Sequence, residues 1–381
     1  MMKDVAALHQ AEFDTPPDVV VTVPASVRIL GEHTEDSEGL VLSAAFDMRL
    51  AVAVSFRRDA ALRFHALDLG ERKRTTLANL KFKREDRWAN YPKGVCATLA
   101  ERGLATRGFN FTVSSDIPQG IGLGSSAALS VASAAAFDAL YGLALGDLGI
   151  AELAREAETV FMGRQVPASE HLVPALSRPG MLLALDARSG ARRLMPYAFE
   201  DAGLVLTDSR VPRPVIDAEM EQRADDCRKC LAALGSRRGG KTLRDFGLDD
   251  LEELMGVLQE SVRRRCLHIM EEMQRVSEAE DALARVDLAT FSRLVNKSQA
   301  GLRNLFEISC PEVDWLAKRA LEIDGVHWSR LTGRGFGGCT LTAMRPSAVD
   351  EYRARLEEYE RIFGFRAVAW ESALDGGIRL A

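Results

Sequence analysis

The sequence predicts a mixed α/β (α+β) fold in two domains. Three observations carry this. Strand-like apolar runs alternate with amphipathic helical runs through the first half of the chain. From Val215 to about Ile323 the chain turns mostly helical, after strand-like runs at Met181–Asp186 and Leu204–Thr207 that bracket a domain change near residues 190–200. The 381 residues, 47% hydrophobic and 27% charged, suffice for two cores. The expected division is 1–197 and 198–381.

In order, Val19–Val23 reads as a strand entering a loop at Pro24-Ala25-Ser26. The apolar stretch Val27–Leu30 ends at Gly31, and Glu32, His33, Thr34, Glu35 and Asp36 follow at once. Such a cluster is either an exposed loop or a ring of acceptors for a polyhydroxylated ligand, because carboxylates and imidazole accept hydrogen bonds from hydroxyls directionally. Leu40 to Phe56 and Leu62–Ala66 have β character. A helix is expected from Arg87 to about Leu104, with Trp88 and Tyr91 either in the core or forming a stacking face for a base. Phe109–Val113 is a strand and Ala127–Leu140 a helix. Leu148–Met162 is amphipathic, with Leu153, Ala157, Val160 and Phe161 on its apolar side and Glu152, Glu156 and Glu158 on or near the polar one. One of these carboxylates could reach back to a metal. Arg164 to Pro179, with three prolines, is expected to be irregular. Ser329–Leu341 is a glycine loop between strands, equally a flexible hairpin or a ligand loop. Tyr352–Phe363 is a final helix and Phe365–Trp370 a strand.

Net charge is −6, from 49 basic and 55 acidic residues, so no global footprint for nucleic acid or an anionic membrane exists. Met1–Val5 does not read as a secretory signal, and no apolar run is long enough to span a bilayer. The six cysteines are scattered, and the lone Cys227-x-x-Cys230 pair sits in a helical context that favours coincidence over zinc or a redox centre. A reduced, cytoplasmic monomer is expected.

The most informative stretch is Pro118-Gln119-Gly120-Ile121-Gly122-Leu123-Gly124-Ser125-Ser126-Ala127-Ala128. It joins a strand to an Ala-rich helix. Its glycines admit close backbone approach, and a helix N-terminus presents unpaired N–H groups and a dipole that favours anions. This is either a phosphate cradle or a Gly/Ser turn capping a buried helix. It is neither a Walker loop nor a Rossmann fingerprint.

With these segments in place, the chain resembles the galactokinases of the GHMP small-molecule kinase family. Val27–Thr34, with Gly31-Glu32-His33-Thr34, resembles that family's first motif, and Pro118–Ala128 its second. Leu331–Thr340, with Gly335-Phe336-Gly337-Gly338-Cys339, resembles its third. Arg87–Val95 and Glu307–Glu312 are also galactokinase-like. The resemblance implies an N-terminal domain like ribosomal protein S5 domain 2, a ferredoxin-like C-terminal domain, and an active site between them. It implies that Gly122, Leu123, Gly124, Ser125, Ser126 and Ala127 hold the ATP phosphates, that Ser126 and Glu158 ligate Mg²⁺, and that Trp88 lies by the adenine. Glu32, His33 and Glu35 would bind the sugar, galactose or a relative.

The sequence departs from the family pattern on the sugar side. The family's catalytic arginine corresponds to Ser26, its sugar-binding aspartate to Glu35 and its catalytic aspartate to Glu170. A sugar-contacting tyrosine falls on Met220, and Arg334 stands where glycine is usual. Two readings follow. In one, Glu170 is the catalytic carboxylate and Arg28, two residues along the strand from Ser26 and on the same face, replaces the lost arginine. In the other, the protein binds nucleotide as a weak or inactive sensor, or serves another sugar.

Overall fold

The computed structural model describes residues 4–105, 107–212 and 216–380; Met1–Lys3 and Val215, both used in the readings above, lie outside them. Helix α1 (Val5–Phe13) precedes β1 (Val19–Leu30), β2 (Leu40–Phe56), β3 (Ala61–Ala66), β4 (Glu71–Thr76), α2 (Asn90–Glu101), β5 (Phe109–Ser115), α3 (Ser125–Tyr141), α4 (Gly146–Glu156), α5 (Ala168–Leu176), β6 (Met181–Asp186) and β7 (Arg192–Pro196). Then come β8 (Gly203–Asp208), α6 (Asp217–Arg238), α7 (Leu248–Glu252), α8 (Glu260–Ala284), α9 (Leu288–Asn304), α10 (Pro311–Ala320), β9 (Val326–Leu331), β10 (Cys339–Met344), α11 (Val349–Phe363), β11 (Val368–Ser372) and β12 (Arg379–Leu380).

The first sheet runs β12-β1-β2-β5-β3-β4, with β6 on β2 and β7 on β6. The 17-residue β2 serves two neighbours: residues 40–44 pair with β6 and 50–56 with β5. Among the described residues of this sheet only β3 and β5 pair in parallel. The second sheet, β11-β8-β10-β9, is antiparallel throughout. Helices connect β8 to β9 and β10 to β11, which is the β-α-β-β-α-β pattern of a ferredoxin-like domain. Phe46 bridges Leu374 and β12 pairs with β1, so the end of the range 198–381 adds a strand to the first sheet.

Small residues make α3 fit. Its Ala-Ala-Leu-Ser-Val-Ala-Ser-Ala-Ala-Ala run is buried nearly all round and lies against β1 and β2. One apolar core continues from Val21 and Phe46 through Phe109, Phe111 and Phe137 to Phe291, Trp328 and Leu341, and so joins the two sheets. Each such buried large side chain contributes about 1.5–3 kcal/mol. A second cluster, with Leu234, Cys266, Leu302 and Phe306, fills the space among α6, α7, α8 and α9.

Four local expectations change. The strand does not stop at Pro24-Ala25-Ser26: β1 runs on to Leu30, and a bulge between Pro24 and Ala25 absorbs the proline's missing N–H. Helix α2 begins at Asn90 and ends at Glu101, not Arg87 and Leu104, because Arg87 sits at φ 42°, outside helical space. Residues 168–176 form α5 despite Pro174, in a segment expected to be irregular. Finally, α4 passes into a π-helical turn at Ala157–Phe161. The wider turn rotates the faces, so Val160, expected on the apolar side, is 67% exposed while Glu158 is buried.

Candidate active site

One cavity of about 1410 Å³ lies between β1, the loop before α3, and α5 on one side and α6 with the loop after β9 on the other. Trp88, Gly122, Leu123, Gly124, Ser125, Ser126, Ser26, Arg28, Glu32, His33, Glu170, Met220 and Arg334 all line it. Thus residues from three distant loops reach one space. Ala127, Glu35 and Glu158 do not line it: Ala127 is buried in α3, and the two carboxylates face neighbouring side chains.

One wall is mostly backbone. Gly124 caps α3 at φ 71°, and a Cβ there would collide with Ser26 Oγ, so this position needs glycine twice over. No side chain caps the first turn of α3, which leaves its amides to an anion. Two bonds fix the loop: Ser26 N donates to Leu123 O (3.2 Å) and Cys339 N to Ile121 O (3.1 Å). Gly333 closes against it, since a Cβ there would stand 3.0 Å from Gly122 Cα. At the far end half-buried Trp88 is held by its edge, with Nε1 donating to Glu71 Oε2 at 2.9 Å.

Behind this wall sits Glu158. Its Oε1 accepts from Ser130 Oγ (2.7 Å) and pairs with His171 Nε2 (3.0 Å), while Oε2 has Arg164 Nη1 at 3.9 Å. Burial alone would raise its pKa; His171, Ser130 and Arg164 together hold it below the ordinary value. Tyr91 links the region, its hydroxyl accepting from Arg164 Nη1 (2.9 Å) and sharing a hydrogen bond with Ser126.

The opposite wall is a network of side chains. Arg28 Nη1 donates to Glu32 Oε1 (2.7 Å), and Nη2 to Glu35 Oε2 (3.0 Å) and Ser169 Oγ (2.9 Å). Ser169 in turn donates to Glu35 from both N (3.1 Å) and Oγ. Burial works against the Arg28 charge, but Glu32, Glu35 and Glu170 prevail and raise its pKa. Glu170, next to Ser169 on α5, has its pKa raised by burial, with Glu158 and Glu35 adding and Arg28 and His171 opposing. His33 stacks on Phe306 at 4.6 Å between centroids, and its Nε2 is buried without a partner. Burial, with Arg28, Arg334 and Arg330, lowers its pKa to about 3, so it is a neutral hydrogen-bonding group at ordinary pH.

The sequence reading missed what supports this wall. Arg330 on β9 is fully buried and donates to Ile29 O and to Glu32 Oε2 (3.2 Å). Glu272 on α8 accepts from Gly31 N (2.9 Å), Ser298 Oγ (2.7 Å) and Arg275 Nε (2.7 Å). Both come from the second half of the chain and hold the segment that carries Glu32 and His33. Arg330 carries one sequence signal, a charge between strand-like residues at Trp328-Ser329-Arg330-Leu331; Glu272, beside Glu271 on a charged helix, carries none.

Comparisons with known proteins show the family and the fold. The chain matches the GHMP kinases N terminal domain over residues 90–170, the galactokinase galactose-binding signature over 7–56 and the GHMP kinases C terminal model over 279–361. A Treponema pallidum protein, named provisionally as a galactokinase, is 36% identical over all of this chain and 96% of its own. The galactokinase of Roseiflexus sp. is 34% identical, covering 92% of this chain and 89% of its own. The human galactokinase is 31% identical, covering 94% and 92%. Among solved structures, Lactococcus lactis galactokinase complexed with galactose superposes with a TM-score of 0.92, covering 98% of each chain at 24% identity.

Proposed function

The chain belongs to the galactokinase family of GHMP kinases, and from that premise we propose that it transfers the γ-phosphoryl group of ATP to the anomeric hydroxyl of galactose. The observation that carries this reading is the single cavity with an uncapped helix N-terminus on one wall and Glu170 with His33 on the other. ATP would lie with its base by Trp88 and its phosphates on the amides of residues 122–127. The sugar would lie against His33 and Glu32, with Glu35 acting indirectly through Arg28 and Ser169.

The reaction breaks the bond from the γ-phosphorus to the β–γ bridging oxygen and forms a new one to the anomeric oxygen; ADP leaves. Glu170 accepts the hydroxyl proton, and a carboxyl whose pKa is raised by burial is a stronger base than an exposed one. Arg28 opposes the effect of burial on that carboxyl and fixes the α5 start through Ser169. In-line placement and preorganised donors then lower most of the barrier.

Mg²⁺ fits the donor set. Glu158 is ionised and its Oε2 accepts no close hydrogen bond, and the Ser126 hydroxyl is linked to it through Tyr91 and Arg164. Among the described residues no group of three or more His, Cys, Asp or Glu could hold a metal by itself; one carboxylate and one hydroxyl suit an ion held largely by substrate phosphates. When bound, it neutralises phosphate charge. No helix among the described residues is long and apolar enough to cross a membrane, and the six free thiols fit a reducing cytoplasm. We take the working form to be a monomer.

The test is ADP release from ATP and Mg²⁺ with a panel of sugars. Release with galactose above the sugar-free rate supports the assignment; release only with another sugar redirects it. No sugar-dependent release, with ATP still binding, refutes it.

A further inference from the structure

Ser26 leaves the meeting point of phosphate and sugar without an arginine from β1. The nearest guanidinium on that strand, Arg28, is already engaged by Glu32, Glu35 and Ser169. Arg164 is tied to Tyr91 and faces Glu158. Arg223 is buried, with Nε on Phe306 O (2.9 Å) and Nη1 on Glu219 (2.8 Å). Arg28 and Arg223 are each held by several partners, and Arg164, 46% exposed, is committed to the Tyr91 and Glu158 side of the cavity.

Arg334 differs. It follows Gly333, which rests on Gly122 of the phosphate loop, and the far end of its own loop is tied there by the Cys339 N to Ile121 O bond. It lines the same cavity and is close enough to His33 to be among the charges acting on that ring. Its ion pair is with Asp217 (3.0 Å), and those side chains are 44% and 78% exposed. An exposed pair of this kind is weak and screened by salt, so releasing it costs little. The backbone is held against the loop before α3 and the head group is loosely held, inside the cavity that the two walls share.

Resting on the kinase reading above, we infer that Arg334 swings from Asp217 onto the γ-phosphoryl oxygens and supplies, from the loop after β9, the positive charge that Ser26 cannot. It gains no proton and loses none; it offsets charge that spreads over the transferring group. A planar fork of donors matches phosphate oxygens, whereas glycine at this position brings no charge.

Three variants test this: Arg334→Gly, Arg334→Lys and Asp217→Asn. Arg334 is exposed and glycine is compatible with the loop, so folding is not at stake. Two quantities are read: kcat with galactose, and the ratio of ATP to ADP affinity measured by calorimetry without sugar. For Arg334→Gly the expected result is a fall in kcat of about 100-fold or more, a KM for galactose changed far less, and an ATP-over-ADP preference reduced by about tenfold, of the order expected when one charged phosphate contact is lost. Lysine should restore part of both, and Asp217→Asn should keep kcat at or above the parent value. A kcat for Arg334→Gly within about threefold of the parent would overturn the inference. So would a lowered kcat with an unchanged ATP-to-ADP ratio, since the side chain would then act only through structure. The affinity ratio needs no sugar, so it judges Arg334 even if galactose proves not to be the acceptor.

Discussion

The two walls of the cavity are built on different principles. The wall proposed for the nucleotide is backbone: Gly122 and Gly124, the first amides of α3, and hydrogen bonds from Ser26 N and Cys339 N that do not depend on side-chain identity. The wall proposed for the sugar is a network of side chains: Arg28 with Glu32, Glu35 and Ser169, Glu32 with Arg330, and Glu272 reaching Gly31 N. A backbone site tolerates substitution around it as long as its glycines stay. A side-chain site must change as a set. Glu35, Arg28 and Ser169 form one hydrogen-bonded group, and Glu170 lies within electrostatic reach of it, so a change at one of them is felt by the others.

The sharpest way to separate the walls is Glu170→Gln. Turnover should fall by about 10²–10⁴-fold, while ATP affinity stays within about twofold. The variant should also melt higher than the parent at pH 7. Folding raises this carboxyl's pKa, so its contribution to stability is present at low pH and lost as pH rises through the folded value; glutamine imitates the protonated form. Retained turnover would remove Glu170 from the mechanism, and a lower melting temperature would contradict the electrostatics.

Glu272→Gln probes the support behind the sugar wall. Burial would raise this carboxyl's pKa, but Arg275, His268, Arg330 and Ser298 bring it down to about 2. Its contribution is therefore present above the unfolded value near 4.5 and is lost as pH falls toward 2. Breaking such a buried pair should cost about 3–5 kcal/mol at pH 7 in denaturant titrations, and markedly less at pH 3. An equal loss at both pH values would show that the charge is not what matters.

The smallest effect belongs to the nucleotide wall. Trp88→Ala should weaken ATP and ADP alike by about 1–3 kcal/mol, the worth of one base stacked on an aromatic ring, with kcat for galactose nearly unchanged. A fall in kcat without a change in affinity would move Trp88 away from the base.

What the sequence made legible follows the same division. The strand–glycine–helix unit at 109–141 and the loop after β9 are local patterns, and both stand close to where periodicity and turn chemistry put them. The segment 168–176 was obscured by prolines, although Pro167 precedes the first turn and α5 forms around Pro174. A regular helical period puts Glu158 near the polar face of its helix; the π turn at 157–161 carries it inward. Glu35 looked like a sugar ligand in line with Glu32 and His33, yet it folds back on Arg28 and Ser169. Glu272 and Arg330 were beyond reach: Glu272 bonds to Gly31, 241 residues away, and Arg330 to Glu32, 298 residues away, and no local rule pairs positions so distant.

The central claim is that both walls act on one phosphoryl group. Phosphorus NMR of the protein with ATP, Mg²⁺ and galactose tests it most directly. The account predicts a galactose 1-phosphate signal that grows in step with ADP. ADP formed with inorganic phosphate and no sugar phosphate, or ATP left intact, would contradict it.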